Sequence, residues 1–165
     1  MTLVVITNNV NVMTGRSPSR NKAGSPSVEE NAFLDLLRTC DLLSRGPVQV
    51  LKREDLSATQ YNVLRILRGA PEGLACGEIA DRMITRDPDV TRLLDRLEKR
   101  GLVSRIREPG DRRTVRTRIT PAGRKLLGRL DEPVQEIHRK QLGHLGKAQL
   151  RALAELLAAA RINVT

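Results

Sequence analysis

The sequence predicts a mainly α-helical protein with one small β-hairpin, and residues 85–120 contain the observations that lead to this fold class. In residues 87–100 (DPDVTRLLDRLEKR), four apolar residues recur at helical spacing and predict one buried stripe: Val90, Leu93, Leu94 and Leu97. Three basic residues line another face of this helix: Arg92, Arg96 and Lys99. A cationic row therefore faces outward from a helix whose back lies in a core.

A predicted β-hairpin after the basic helix is the second feature that indicates this fold class. Residues 103–107 and 114–120 have the pattern of short strands. Between them EPGDRR, residues 108–113, contains a Pro-Gly turn pair and places Arg112 and Arg113 at the tip. Residues 86–118 hold eleven Lys and Arg against six Asp and Glu, an excess that suits a phosphate backbone. A basic helix followed by a basic-tipped hairpin is the outline of a winged helix-turn-helix.

Composition narrows the class of protein and partner. The 165 residues suffice for one domain with appendages, and the net charge of +10 favours nucleic acid or an anionic membrane surface as partner. No apolar run approaches the ~20 residues of a membrane helix. The opening LVVI is too short for a secretory signal. We therefore expect a cytoplasmic protein with no membrane partner.

The first 27 residues have the composition of a flexible basic arm. They are rich in Asn, Ser, Gly and Pro, and they carry three basic residues and no acid. Such a segment cannot bury enough apolar area to offset its chain entropy. The arm can add phosphate contacts, but three charges over this length are few, so an inert tail is the favoured interpretation.

The next helices begin at capping boxes. Ser27 and Glu30 predict a helix to about residue 44. Its predicted buried face consists of Phe33, Leu36, Leu37, Cys40 and Leu43. Gly46-Pro47 predicts the end of this helix, and residues 48–54 predict a short helical piece after it.

A second box, S-A-T-Q at residues 57–60, predicts a helix to residue 68 with Gly69 as its stop. Residues 74–83 predict a third, short helix. The basic helix follows, with Asp87 as its predicted N-cap, Pro88 as its first residue and Gly101 as its stop.

The C-terminal segment predicts two further helices. Thr120 is the predicted cap of a helix over residues 121–144, which Pro133 can kink, and residues 147–162 predict another. Together with the first helix they carry more apolar surface than a small winged domain can cover, so we expect a homodimer. The predicted organisation is a flexible arm (1–27), N-terminal dimerisation and linker helices (28–55), a winged helix-turn-helix domain (56–120) and C-terminal dimerisation helices (121–165).

Five pieces of sequence between residues 56 and 127 occur in an order typical of one protein family: LSATQYNVLRIL, GEIADRM, VTRLLDRLEKRGLVSR, DRR and RTRITPAGRKLL. Each piece alone is weak evidence, but five in order are specific. The chain thus resembles the MarR family of bacterial transcriptional regulators. The resemblance implies a winged fold, a homodimer and DNA binding.

The resemblance also implies roles for the residues of the basic helix, which is the family's recognition helix. Its first residues are expected in the major groove: Pro88, Asp89, Val90, Thr91 and Arg92. Thr91 suits a thymine methyl or a phosphate, and Arg92 suits a two-pronged contact to guanine. Arg86 and Arg96 are expected on phosphates.

In the wing, the family pattern corresponds to Asp111, Arg112 and Arg113. It implies that Arg113 reaches into the minor groove and that Asp111 orients it, in agreement with the concentrated negative potential of a narrow groove. For the C-terminal basic residues of the helix, the alternative is a solvated face paired with Asp95 and Glu98. We favour that alternative for Lys99 and Arg100.

As partner the resemblance implies double-stranded DNA with a pseudo-palindromic site, its half-site centres about 10 base pairs apart. Family members often bind small anionic or phenolic effectors, or sense oxidants through cysteine. The two thiols here, Cys40 and Cys76, are both expected to be inert. His138 and His144 lack metal-ligand spacing, and we expect no metal, no cofactor and no catalytic residues.

The leading interpretation is a sequence-specific, dimeric transcriptional regulator, which by family habit is more often a repressor. Two alternatives stay open. A non-specific architectural protein would show steep salt dependence without sequence preference. A winged helix used for protein interaction would function without Arg92 and Arg113.

Overall fold

A computed structural model describes residues 26–85, 87, 89–108 and 111–162, without the side chains of residues 108 and 111–114. Over these residues the elements are α1 (Val28–Lys52), α2 (Ala58–Arg68), β1 (Leu74–Ala75), α3 (Cys76–Arg82), α4 (Val90–Lys99), β2 (Val103–Glu108), β3 (Asp111–Ile119), α5 (Pro121–Leu142), a 3₁₀ turn (Gly143–Leu145) and α6 (Gly146–Ala159). The predicted fold class is confirmed. The predicted arm lies outside the described residues apart from its last two.

The predicted break at Gly46-Pro47 is wrong, because α1 continues through both residues. Proline removes the N–H that would bond the carbonyl of Leu43 one turn earlier. The side-chain amide of Gln141 on α5 donates to that carbonyl at 3.0 Å instead. Gly46 lets α5 approach, since a Cβ there would lie 2.7 Å from Cγ2 of Ile137. Tertiary contacts thus replace the hydrogen bond that proline removes.

The predicted third helix is too long at its N-terminus. Leu74–Ala75 forms β1, which pairs antiparallel with β3 and places Leu74 opposite Thr117. The sheet therefore has three strands in the order β1-β3-β2. Gly73, directly before β1, has a φ of 79°, and a Cβ on it would lie 2.9 Å from the carbonyl oxygen of Thr117. A glycine is required because the conformation is left-handed and the backbones are close.

The wing hairpin is longer than predicted. Glu108 pairs with Asp111, after a register irregularity between Arg107 and Glu108. The connection is therefore residues 109–110, and the backbones of Arg112 and Arg113 belong to β3 rather than to the tip where we predicted them.

The remaining caps agree with the sequence. The box between Ser57 and Gln60 is complete at the start of α2. The Thr120 hydroxyl accepts from the amide of Gly123 at 3.1 Å to begin α5. Pro133 lies inside α5, which ends at Leu142, so that His144 falls in the 3₁₀ turn rather than in the helix. None of the described helices is long and apolar enough to cross a membrane.

One core joins α2, α3, α4, the sheet and the first half of α5, and it includes Leu64, Leu67, Ile79, Leu94, Leu97 and Leu127. By contrast, much of the apolar surface of α1 and α6 is exposed in the single chain: Phe33, Leu36, Leu37, Leu42, Leu153 and Leu156. Cys40 is exposed as well, so the predicted buried face of the first helix is wrong for one protomer. The N-terminal half of α1 has no core of its own chain to cover it.

Candidate nucleic-acid interface

Helix α4 is the candidate recognition element. Its inner face is fully engaged in the core through Val90, Leu93, Leu94 and Leu97. Thr91, Arg92, Arg96 and Lys99 lie exposed on the other side. Val90, which we predicted among the groove-facing residues, is only 7% exposed and so anchors the helix instead.

The start of α4 differs from the sequence prediction. The N-cap is Asp89, whose Oδ1 accepts from the backbone amide of Arg92 at 3.0 Å. Asp87, the predicted cap, accepts from the amide of Asp89 at 2.9 Å. Both residues are good caps by type, so residue type alone does not favour the later one. The end is as predicted, because Gly101 has a φ of 69°.

The same Asp89 carboxylate also forms an ion pair with Arg92. Its Oδ2 lies 3.1 Å from Nε of Arg92, and the Arg92 side chain is 71% exposed. The terminal nitrogens of this guanidinium have no protein partner within the residues that the structure describes. They are therefore available to an external acceptor.

Arg105 on β2 fastens the wing to α4. Its guanidinium lies 2.6 Å from the Asp95 carboxylate and 3.8 Å from that of Glu98. It also donates to the carbonyl of Thr91 at 3.2 Å. Asp95 and Glu98 therefore pair with the wing, whereas we expected them to pair with basic residues of α4 itself.

Arg100 has a different role from the solvated pair that we favoured for it. Its guanidinium donates to the carbonyl oxygens of Glu54 at 2.9 Å and Asp55 at 2.5 Å. Glu54 in turn pairs with Arg129 on α5 at 2.8 Å. The C-terminal end of α4 is thus tied to the turn between α1 and α2 and, through it, to α5.

A cleft of about 380 Å³ separates α3 and α4 from the wing. It is lined by Cys76, Thr91, Leu94, Arg105, Arg107, Val115 and Thr117. The Sγ of Cys76 lies 3.7 Å from the hydroxyl of Thr91. Arg107 is exposed and has no ion pair with any described residue. Sequence reasoning missed Arg107, although the alternation of side chains along a strand places it on the face of Arg105.

A second groove, of about 430 Å³, lies on the other side of α4. Arg96 shares it with Lys52, Ser57 and Gln60. Lys52 and Arg96 make no ion pair within the described part of the chain, so this groove offers two available cations beside one carboxylate, that of Asp55. Sequence reasoning missed Lys52, because the predicted break in α1 separated it from this surface.

The other predicted DNA-binding residues are located only in part. Arg86 and Pro88 lie outside the described residues. Asp111, Arg112 and Arg113 are described as backbone of β3, and their side chains are not. Among the described residues no cluster of His, Cys, Asp or Glu has the arrangement of a metal site.

Comparison with known proteins agrees with this geometry. The family model described as the MarR family matches residues 56–115. The HTH-type transcriptional regulator PecS of Dickeya dadantii (strain 3937) is 32% identical over 140 residues, which make up 81% of this chain and 84% of PecS.

Solved structures give the same result. A MarR transcription factor from Planctomyces limnophilus is 44% identical with a TM-score of 0.62, over 82% of this chain and 98% of that chain. A structure of NadR in complex with 4-hydroxyphenylacetate is 26% identical with a TM-score of 0.66, over 90% and 100% of the two chains. By sequence and by fold, this chain belongs to the MarR family of transcriptional regulators.

Proposed function

We propose that two copies of this chain bind a pseudo-palindromic DNA operator, each with α4 in the major groove and the wing in the adjacent minor groove. The observation that carries this proposal is the exposed cationic face of α4, held beside the wing by Arg105. An α-helix fits the major groove, and a two-stranded hairpin with basic residues can follow the backbone beside it.

Individual residues take distinct roles in this arrangement. Thr91 and Arg92 face bases, because they stand exposed in the first turn of α4. Arg96, Arg86 and the newly identified Lys52 and Arg107 contact phosphates on either side. Arg113, oriented by Asp111, reaches into the minor groove, with Arg112 beside it. These roles rest on the family resemblance for the residues whose side chains the structure leaves undescribed.

The homodimer is supported by the apolar surface that α1 and α6 leave uncovered. Phe33 is 59% exposed and Leu156 is 70% exposed in the single chain. Residues of this size are rarely left in a contiguous exposed patch unless a partner covers them. A two-fold dimer would place two α4 helices about one turn of DNA apart.

The regulator acts as a repressor in the cytoplasm, and a small anionic or phenolic effector modulates its affinity for DNA. The NadR structure with 4-hydroxyphenylacetate supports an effector of this class. The comparisons favour a sequence-specific regulator over an architectural DNA-binding protein or a protein-interaction module, because transcriptional regulators match this chain over 81% and 82% of its length.

Selection of bound sequences from a random double-stranded pool, at physiological salt with the full chain, tests the proposal. We expect an inverted repeat with half-site centres about 10 base pairs apart. The Arg92→Ala variant should recover a degenerate repeat, whereas Arg124→Ala should recover the original one. Arg124 is a suitable control because it is exposed in the first turn of α5, on neither α4 nor the wing. Salt-sensitive binding without any selected motif would overturn the proposal.

A further inference from the structure

We infer that Asp89 is a specificity-positioning residue, which orients the guanidinium of Arg92 so that its two terminal nitrogens face a guanine of the operator. This inference rests on the proposed function, since it assigns a guanine to the position that Arg92 contacts. Asp89 would thus influence the contact of Arg92 with a base without contacting DNA itself.

The Asp89 carboxylate contacts Arg92 through both of its oxygens. Each oxygen of Asp89 has its own partner on Arg92: Oδ1 accepts from the backbone amide at 3.0 Å, and Oδ2 lies 3.1 Å from Nε. The backbone of Asp89 is itself fixed, because its amide donates to Asp87 at 2.9 Å. One carboxylate therefore sets both the start of α4 and the direction of the first arginine along it.

The guanidinium of Arg92 keeps free donors after it pairs with Asp89. Arginine presents five N–H donors in a fixed planar arrangement. With the carboxylate on the Nε side, Nη1 and Nη2 remain as two parallel donors at the end of the side chain. Two parallel donors match the N7 and O6 acceptors of guanine in the major groove, and no other base presents that pair of acceptors. The ion pair with Asp89 thus favours the contact through Nη1 and Nη2, which is the one that recognises guanine.

Bases and phosphates of DNA compete for the guanidinium of Arg92. Without a group to orient it, an arginine that is 71% exposed beside DNA would be drawn to the phosphate backbone, which carries no sequence information. The Asp89 charge cancels that of Arg92 at long range and repels phosphate at short range. The Asp89–Arg92 pair therefore adds little to the affinity for random DNA. The contact of Arg92 with guanine is retained, because the pair holds the guanidinium in the orientation that this contact needs. The pair therefore raises the ratio of specific to non-specific affinity.

The capping function alone does not require a carboxylate. Asparagine, serine and aspartate cap helices about equally well. An exposed ion pair also contributes little to stability. Asp89→Asn should therefore preserve α4 while removing the charge that orients Arg92.

The experiment compares the wild-type chain with Asp89→Asn on the selected operator and on the operator with the guanine opposite Arg92 replaced. We expect the ratio of the two affinities to fall at least about fivefold in Asp89→Asn, the lower end of the discrimination that a bidentate contact gives. Affinity for random DNA should stay the same or rise. The melting temperature should be unchanged, because the cap is preserved.

Two controls separate the possible causes. Asp81→Asn removes the same charge from the exposed surface of α3, where Asp81 makes no ion pair in the described chain, and should leave the ratio unchanged. In the Arg92→Ala background, Asp89→Asn should have no further effect on the ratio. An unchanged ratio in Asp89→Asn, or a motif without guanine at the Arg92-dependent position, would overturn the inference. Failure of the wild-type chain to select any motif would instead overturn the proposed function.

Discussion

Arg105 of β2 and Asp95 of α4 form a 2.6 Å ion pair that holds the wing against the recognition helix. The same guanidinium donates to the Thr91 carbonyl, and its side chain is only 27% exposed. Partial burial reduces screening by water and salt, so this pair is stronger than an open surface pair. The helix and the wing are thereby fixed in the relative position that they present to DNA.

Replacing Arg105 with Met should loosen the wing. The methionine keeps an apolar stem but leaves Asp95 and Glu98 without their cation, so we expect a loss of about 1 kcal/mol in the free energy of unfolding. Operator affinity should fall as well, because two uncompensated carboxylates then face the phosphates. Urea denaturation and operator titration measure the two effects. Arg105→Met and Asp95→Asn are then combined in a double-mutant cycle. If their effects on the free energy of unfolding were strictly additive, the Arg105–Asp95 pair would not couple α4 to the wing.

Arg107 offers a test of the phosphate contacts that sequence reasoning missed. Arg107→Ala should weaken binding evenly over all DNA sequences and reduce the slope of log K against log salt by about 1. The reason is that a phosphate contact releases a counterion but reads no base. The measurement is a salt titration on operator and on random DNA. A change confined to the operator would assign Arg107 to base reading instead.

The wing assignment depends on Arg113. Arg113→Ala should weaken operator binding by at least about 1 kcal/mol, as expected when a charge-assisted minor-groove contact is lost. Arg124→Ala, which removes the same charge from the first turn of α5, is the matched control. Equal affinities of Arg113→Ala and wild type for the operator would exclude this minor-groove role.

Replacing glycine with alanine should have opposite effects on stability at Gly46, where α1 contacts α5, and at Gly128, inside α5. Gly46→Ala places a methyl group 2.7 Å from Ile137 Cγ2 and should cost about 1–3 kcal/mol of unfolding free energy. Gly128→Ala, inside α5, brings the new Cβ within 4 Å of no described atom beyond its chain neighbours and the nearby backbone of its own helix, and should stabilise by about 0.5–1 kcal/mol. Both are measured by urea denaturation. A fully stable Gly46→Ala variant would mean that the helices do not cross this closely.

Local signals predicted the parts of this fold that depend on local chemistry. The caps at Ser57, Thr120 and Gly101 and the buried stripe of α4 all depend on spacing within one helix. Several of the predictions that were wrong involve partners distant in sequence. The continuation of α1 needs Gln141, which lies 98 residues from the carbonyl it contacts.

In the candidate site, too, helical spacing predicted some features, whereas other contacts could not be predicted from the sequence. The cationic face of α4 follows from helical spacing, and the family resemblance supplied the roles in DNA binding that we propose for it. The pairing of Asp95 with Arg105 could not be read from the sequence, because nearer basic residues at helical spacing compete for the same carboxylate. The choice of Asp89 over Asp87 as N-cap depends on the exact backbone path into the helix, which residue types alone do not determine.

The Glu54–Arg129 pair predicts a loss of stability in acid. The hydrogen bond from Arg129 lowers the pKa of Glu54 below its ordinary value of 4.5. A carboxyl group with a lowered pKa in the folded state adds stability at pH values above its unfolded pKa, and that stability is lost as the pH falls through the folded pKa. We therefore expect the free energy of unfolding to drop below about pH 4.5 less steeply in Glu54→Gln than in wild type. Asp81→Asn, on α3 where Asp81 is exposed and has no ion pair in the described chain, should follow the wild-type curve. Urea denaturation between about pH 7 and 3 makes the comparison, and parallel curves for Glu54→Gln and wild type would rule out this linkage.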